Sequence, residues 1–173
     1  MLQAFVERAD LAILERTNRK KEGIVKISNY LDVDLVVFLQ AESRDDAIQI
    51  LVDELSKSGK LLEKKTFFKA ILDREKIVST GIGMGVALPH AKLKDLKEFF
   101  VIIGIQKNQG LDWKAIDKAP VRIIFMIGGP DDRSSEYLQI LSRLTQAIKD
   151  EEIRKKLLKA SSSEEVIKLF ENF

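Results

Sequence analysis

His90 is the only histidine in the chain, and it closes the run TGIGMGVALPH at positions 80–90. Three glycines at 81, 83 and 85 alternate with other residues ahead of it, and a Leu-Pro step leads directly into the imidazole. With an ordinary pKa of about 6.5, most of such a side chain is neutral near pH 7, so its unprotonated nitrogen is a nucleophile without help from a base. Pro89 fixes its own φ and biases Leu88 toward extended backbone, which holds His90 at the end of a stiff apolar strand. Gly81, Gly83 and Gly85 allow close backbone approach and expose N–H groups. Arg74 stands where the preceding helix enters this loop, and a guanidinium has the donor fork for an oxyanion. A nucleophilic imidazole, an arginine, the Thr80 hydroxyl and open N–H groups together suit a histidine that itself carries a phosphoryl group. That group brings roughly −1.5 to −2 charge and needs donors already in place.

Two competing chemistries fail on spacing and context. The glycines form G-x-G-x-G, without the third-glycine spacing of a dinucleotide fingerprint, and a helix precedes them where that fingerprint needs a strand. No GKS or GKT follows, which removes a P-loop. A hydrolytic pairing of Ser79 with His90 lacks a G-x-S-x-G elbow, and nothing else in the chain supports it.

The composition narrows the remaining classes. Cysteine is absent, so disulfides, thiolate catalysis and cysteine–zinc sites are excluded, and a single histidine leaves little with which to hold a metal. No metal or cofactor is expected. The net charge of +2 gives no concentrated basic face for nucleic acid. The first sixteen residues carry Glu7, Arg8 and Asp10 within their apolar pattern, which is not a signal peptide, and uncharged apolar runs are too short to span a membrane. The chain therefore reads as soluble and cytoplasmic.

The elements that must position His90 can be read from periodicity. Leu2, Phe5, Val6, Ala9, Ala12 and Ile13 recur at helical spacing, and the polar TNRKKEG stretch links that helix to the rest, so residues 1–25 read as helix and linker and 26–173 as one domain. A strand is expected over 33–39, a Ser43-capped helix ending at Gly59, a second helix over 63–75, then the glycine loop. Further strands are expected over 86–88, 99–106 and 121–127. Helices follow over 135–148 and 151–160, with a third capped by Ser163. Nearly continuous apolar strands mixed with helices imply a sheet covered on both faces, hence a single three-layer α/β/α domain.

The stretch LDREKIVSTGIGMGVALPHA resembles the signature of the IIA domains of the bacterial phosphoenolpyruvate:sugar phosphotransferase system, of fructose/mannitol/nitrogen-regulatory type, and the similarity runs from about residue 26 to 173. The resemblance implies a mixed, about five-stranded sheet flanked by helices, with His90 as phosphoryl acceptor through Nε2, Arg74 contacting the phosphoryl group and Thr80 beside it. It implies phosphorylated HPr, or its nitrogen-branch relative, as donor. Several members carry a second active-site histidine where this chain has Tyr137. A phenol can donate a hydrogen bond to a phosphoryl oxygen but supplies no imidazolium charge, and plain packing is the alternative reading. With no cysteine and no membrane span, neither a IIB domain nor a transporter lies in this chain. A stand-alone nitrogen-regulatory IIA protein, read out by regulated target proteins, is favoured over a free-standing sugar IIA that passes phosphate to a separate IIB. A non-phosphorylated binding module on the same fold is the third reading.

Overall fold

The computed structural model describes residues 25–173, so the helix expected over the first sixteen residues lies outside the described part. Among the described residues, six strands and five α-helices form three layers. In chain order these are β1 (Val36–Leu39), α1 (Arg44–Lys57), α2 (Lys64–Ile77), β2 (Gly81–Gly83), β3 (Val86–Ala87), β4 (His90–Lys92), β5 (Phe100–Gln106), β6 (Ile123–Gly129), α3 (Ser134–Lys149), α4 (Glu151–Lys159) and α5 (Ser163–Lys168). The sheet runs β1-β5-β6-β3-β2, with β4 also on β6. It is mixed: β1 is parallel to β5, β5 antiparallel to β6, and both β3 and β4 parallel to β6. No helix among the described residues is long and apolar enough to cross a membrane.

Strand alternation divides the interior in two. Val101, Ile103 and Ile105 of β5, with Ile123, Phe125 and Ile127 of β6, join Ile140, Leu144 and Ile148 of α3 and Leu157 of α4. Phe100 and Ile102, with Ile124 and Met126, face Ile48, Leu51 and Leu55 of α1 and Phe67 and Ile71 of α2. Both central strands are buried throughout, which is why they read as unbroken apolar runs rather than as alternating ones.

The helices start where local chemistry starts them. Ser43 Oγ accepts from Asp46 N at 3.1 Å to cap α1, and Asp150 Oδ1 accepts from Glu152 N at 2.8 Å to cap α4. The cap of α5 is Ser162 rather than Ser163: its Oγ accepts from Glu165 N. The strand expected over 33–39 keeps only its second half. Asp32 Oδ1 takes the N–H of Asp34 at 3.0 Å, and this local bond winds Val33–Leu35 into a 3-10 turn ahead of β1.

The segment from β3 to β4 contains the feature that places His90. Val86 pairs with Ile123, Ala87 with Ile124, His90 with Ile127 and Ala91 with Gly128, one constant register along β6. β3 and β4 are therefore a single line of chain interrupted at Leu88-Pro89, where proline has no N–H to give. Counted that way the sheet has the five strands expected. His90 does not close the apolar strand; it opens the continuation beyond the break. β4 pairs with β6 alone, so His90 lies on the open edge of the sheet.

Candidate functional site

Val86 and Leu88 belong to the core on the α3 side and Ala87 and Ala91 to the core on the α1–α2 side. Period-2 alternation then turns His90 and Lys92 toward α3, and the His90 ring packs against Tyr137 with centroids 5.5 Å apart. From the other layer, Arg74 in the last turn of α2 reaches the open edge, and its Nε donates to His90 Nε2 at 3.2 Å. Its Nη1 donates to the Val78 carbonyl at 2.9 Å, which anchors the guanidinium while it faces the imidazole.

These partners settle the tautomer. His90 Nδ1 lies 2.9 Å from the carbonyl oxygen of Leu88. A carbonyl only accepts, so Nδ1 carries the proton, and Nε2, which accepts from Arg74, is left with its lone pair. Burial pushes the His90 pKa down from 6.5 to about 4, the bond to the Leu88 carbonyl works in the opposite direction, and the charges of Arg74 and Lys92 add to the lowering. The side chain is a neutral, oriented imidazole with a bare nitrogen beside a guanidinium.

A pH experiment follows from this depression. As pH falls, the unfolded chain takes up a proton on His90 near pH 6.5, while the folded chain does not until about pH 4. The unfolded state binds more protons between those values, so stability declines on acidification through that window. At about 1.4 kcal/mol per pKa unit, and discounted for the half-buried position, the loss is about 2 kcal/mol. Because the chain holds one histidine, nitrogen NMR should show one imidazole, Nδ1-protonated at pH 7 and titrating near 4. Urea unfolding of His90→Gln should lack this part of the acid sensitivity. A midpoint near 6.5 would contradict the site as described.

Thr80 and the glycines have other work than that expected of them. Thr80 is 1% exposed. Its hydroxyl donates to Glu75 Oε1 and accepts from Trp113 Nε1 at 3.2 Å, while its N–H donates to Glu75 Oε2 at 3.2 Å and its carbonyl accepts from Leu88 N at 3.0 Å. The hydroxyl both donates and accepts inside the protein, so Thr80 ties α2 to β3 and has no uncommitted O–H here. The glycine run is not an open loop either, but the β2–β3 hairpin. Gly83, Met84 and Gly85 all take positive φ to make its turn. The space a side chain would occupy is already filled: a Cβ would meet Ala115 Cβ at 2.8 Å from Gly81, Asp117 Oδ2 at 2.9 Å from Gly83 and the Pro120 carbonyl at 3.3 Å from Gly85. The missing side chains admit the 111–121 segment, which clamps the hairpin through Met84 N to Asp117 Oδ2 at 2.8 Å and Ser79 Oγ to the Trp113 carbonyl at 2.6 Å.

Tyr137 is where the sequence placed it, at the start of α3, 8% exposed and stacked on Phe99 as well as packed on His90. Three residues near the site escaped the sequence reading. Glu75 and Trp113 form the buried bonds to Thr80; a glutamate at a helix end and a tryptophan in a polar loop give no signal of meeting. Lys92 did give one: two residues beyond His90 on a strand, it must share the same face. Among the described residues, no group of three or more His, Asp or Glu side chains is placed to hold a metal ion.

A single imidazole of fixed tautomer thus stands beside an arginine at the open edge of a mixed α/β sheet. Residues 29–173 match the family model described as "Phosphoenolpyruvate-dependent sugar phosphotransferase system, EIIA 2". The chain belongs to this family, whose members act as phosphoryl carriers. It is 36% identical to the fructose-specific EIIABC component of Bacillus subtilis over 75% of its own length, and it spans only 20% of that larger protein. It is 32% identical to a nitrogen regulatory protein of Klebsiella oxytoca, over 86% of this chain and 91% of that one. The crystal structure of nitrogen regulatory protein IIA-Ntr from Neisseria meningitidis superimposes with a TM-score of 0.77 at 28% identity, covering 83% of this chain and 98% of the other.

Proposed function

We propose that the protein accepts a phosphoryl group on Nε2 of His90 from a phosphohistidine donor of HPr type, or its nitrogen-branch relative, and that its phosphorylation state is read by protein partners. The observation that carries this reading is the bare Nε2 lone pair held against Arg74, with Nδ1 fixed by the Leu88 carbonyl. The phosphorus–nitrogen bond in the donor breaks, and its electron pair returns to the donor ring. A new bond forms with the lone pair of Nε2. The proton stays on Nδ1, hydrogen-bonded to the Leu88 carbonyl, and the donor ring, protonated at its other nitrogen, leaves neutral, so positive ring charge passes from donor to acceptor together with the phosphoryl group. Arg74 moves its Nε–H from the ring nitrogen to a phosphoryl oxygen.

A protein donor needs a surface to dock on, and the site is bordered by exposed apolar side chains. Ile77 is 80% and Val78 49% exposed beside the Arg74 anchor, and Ile116 is 64% exposed in the segment that clamps the hairpin. The near full-length alignment with nitrogen-regulatory relatives supports the regulatory branch. A fructose-specific EIIA component, aligned over 93% of its own length, equally supports the sugar branch, in which a separate IIB receives the group.

Incubation with phosphoenolpyruvate, enzyme I and an HPr-type donor should give one acid-labile phosphoryl adduct by intact mass, mapped by fragmentation to the peptide containing His90. An adduct elsewhere, or none with any donor of this class, rejects the reading. Rapid discharge of the labelled protein onto a purified IIB domain would move it to the sugar branch.

A further inference from the structure

A phosphoryl group brings roughly −1.5 to −2 charge, whereas Arg74 supplies a single positive charge and the Tyr137 ring supplies none. A second cation is already near. Lys92 follows His90 by two residues in β4, so both side chains leave the same face of the strand. The Lys92 ammonium lies 5.2 Å from the centroid of the Tyr137 ring, and that ring is 5.5 Å from the imidazole. Its field reaches His90, where it opposes protonation of the ring.

The resting partner of Lys92 is also telling. Lys92 Nζ donates to the neutral Ser134 Oγ at 3.2 Å, at the first residue of α3. A hydroxyl carries no net charge, so leaving it breaks a hydrogen bond but no ion pair. A four-carbon stem with freely rotating bonds allows the ammonium to move.

We propose that Lys92 is the second cation of the phosphoryl site: when His90 is phosphorylated, the Lys92 ammonium leaves Ser134 and binds a phosphoryl oxygen from the α3 side, while Arg74 binds from the α2 side. The inference rests on phosphorylation at His90 as set out above. Lys92 acts by charge alone and donates neither proton nor electron pair to the transfer. It supplies the charge that the phenol of Tyr137 does not.

The test uses phosphoramidate, a small phosphoryl donor, so that no protein contact is involved. Wild type, Lys92→Met and Lys92→Arg are labelled and followed by phosphorus NMR across pH. A cation on the phosphoryl oxygens lowers their second proton dissociation, ordinarily near pH 6. Lys92→Met should therefore titrate at higher pH than wild type and label about ten-fold more slowly, equivalent to about 1.4 kcal/mol. Lys92→Arg should restore both. An adduct on His90 with the same titration and rate in wild type and Lys92→Met overturns the role of Lys92 alone. Failure of the wild type to form any adduct on His90 with either phosphoramidate or an HPr-type donor overturns this inference and the carrier reading together.

Discussion

Arg74→Met should lower the initial rate of phosphoryl acceptance by about 10²–10³, the usual effect of removing one preorganised donor to a developing oxyanion, and His90→Ala should abolish it. The guanidinium is in place before reaction, with Nη1 on the Val78 carbonyl and Nε on the nucleophilic nitrogen. Little reorganisation is therefore needed when charge arrives: Nη1 keeps its anchor while the Nε–H shifts from the ring nitrogen to a phosphoryl oxygen. Arg74→Lys should recover only part of the rate, because an ammonium is a point charge without a planar fork. Rates of adduct formation from an HPr-type donor, measured by intact mass on a seconds-to-minutes scale, decide the matter. A rate for Arg74→Met within three-fold of wild type would remove Arg74 from the mechanism. The same substitution should raise the His90 pKa, since the Arg74 charge now helps to hold it down.

The second large effect is on the scaffold. Trp113 has no exposed surface, and Trp113→Ala should cost about 3–5 kcal/mol, as expected for truncating a buried tryptophan. Part of that loss reaches the site, because Trp113 Nε1 donates to Thr80 Oγ1, and Thr80 holds Leu88, whose carbonyl fixes the His90 tautomer. Trp113→Phe keeps most of the volume but not the N–H, and should cost about 1 kcal/mol beyond the change in packing. Urea unfolding of the two variants separates cavity from hydrogen bond. Equal losses in both would mean that the indole N–H, not the packing, dominates.

That Arg74 would meet His90 was readable from sequence because residue type and position carried the information. One imidazole in the chain, preceded by proline, and an arginine at a helix end leave few other chemistries. The α1, α2 and α3 helices were readable for a related reason: their apolar faces and the Ser43 cap of α1 are local. The work of the glycines was not local. Only the approach of the 111–121 segment shows that their missing side chains make room for protein, and that approach depends on contacts about thirty residues apart in sequence. Thr80 misled in the same way, since a hydroxyl beside a reactive histidine looks available until its buried partners Glu75 and Trp113 are known. The first half of the interrupted strand was expected over 86–88, but its continuation beyond Pro89 was hidden, because it is too short to show periodicity and only a common register on β6 joins the two.

The interruption at Leu88-Pro89 also bears on how the protein tolerates change over generations. The group that sets which imidazole nitrogen is reactive is a main-chain carbonyl, so no side chain encodes it. Substitutions at Leu88 that preserve the local backbone leave that oxygen where it is. The tautomer is thus inherited with the path of the chain, and the neighbouring surface is free to drift toward new partners while the reactive nitrogen keeps its identity.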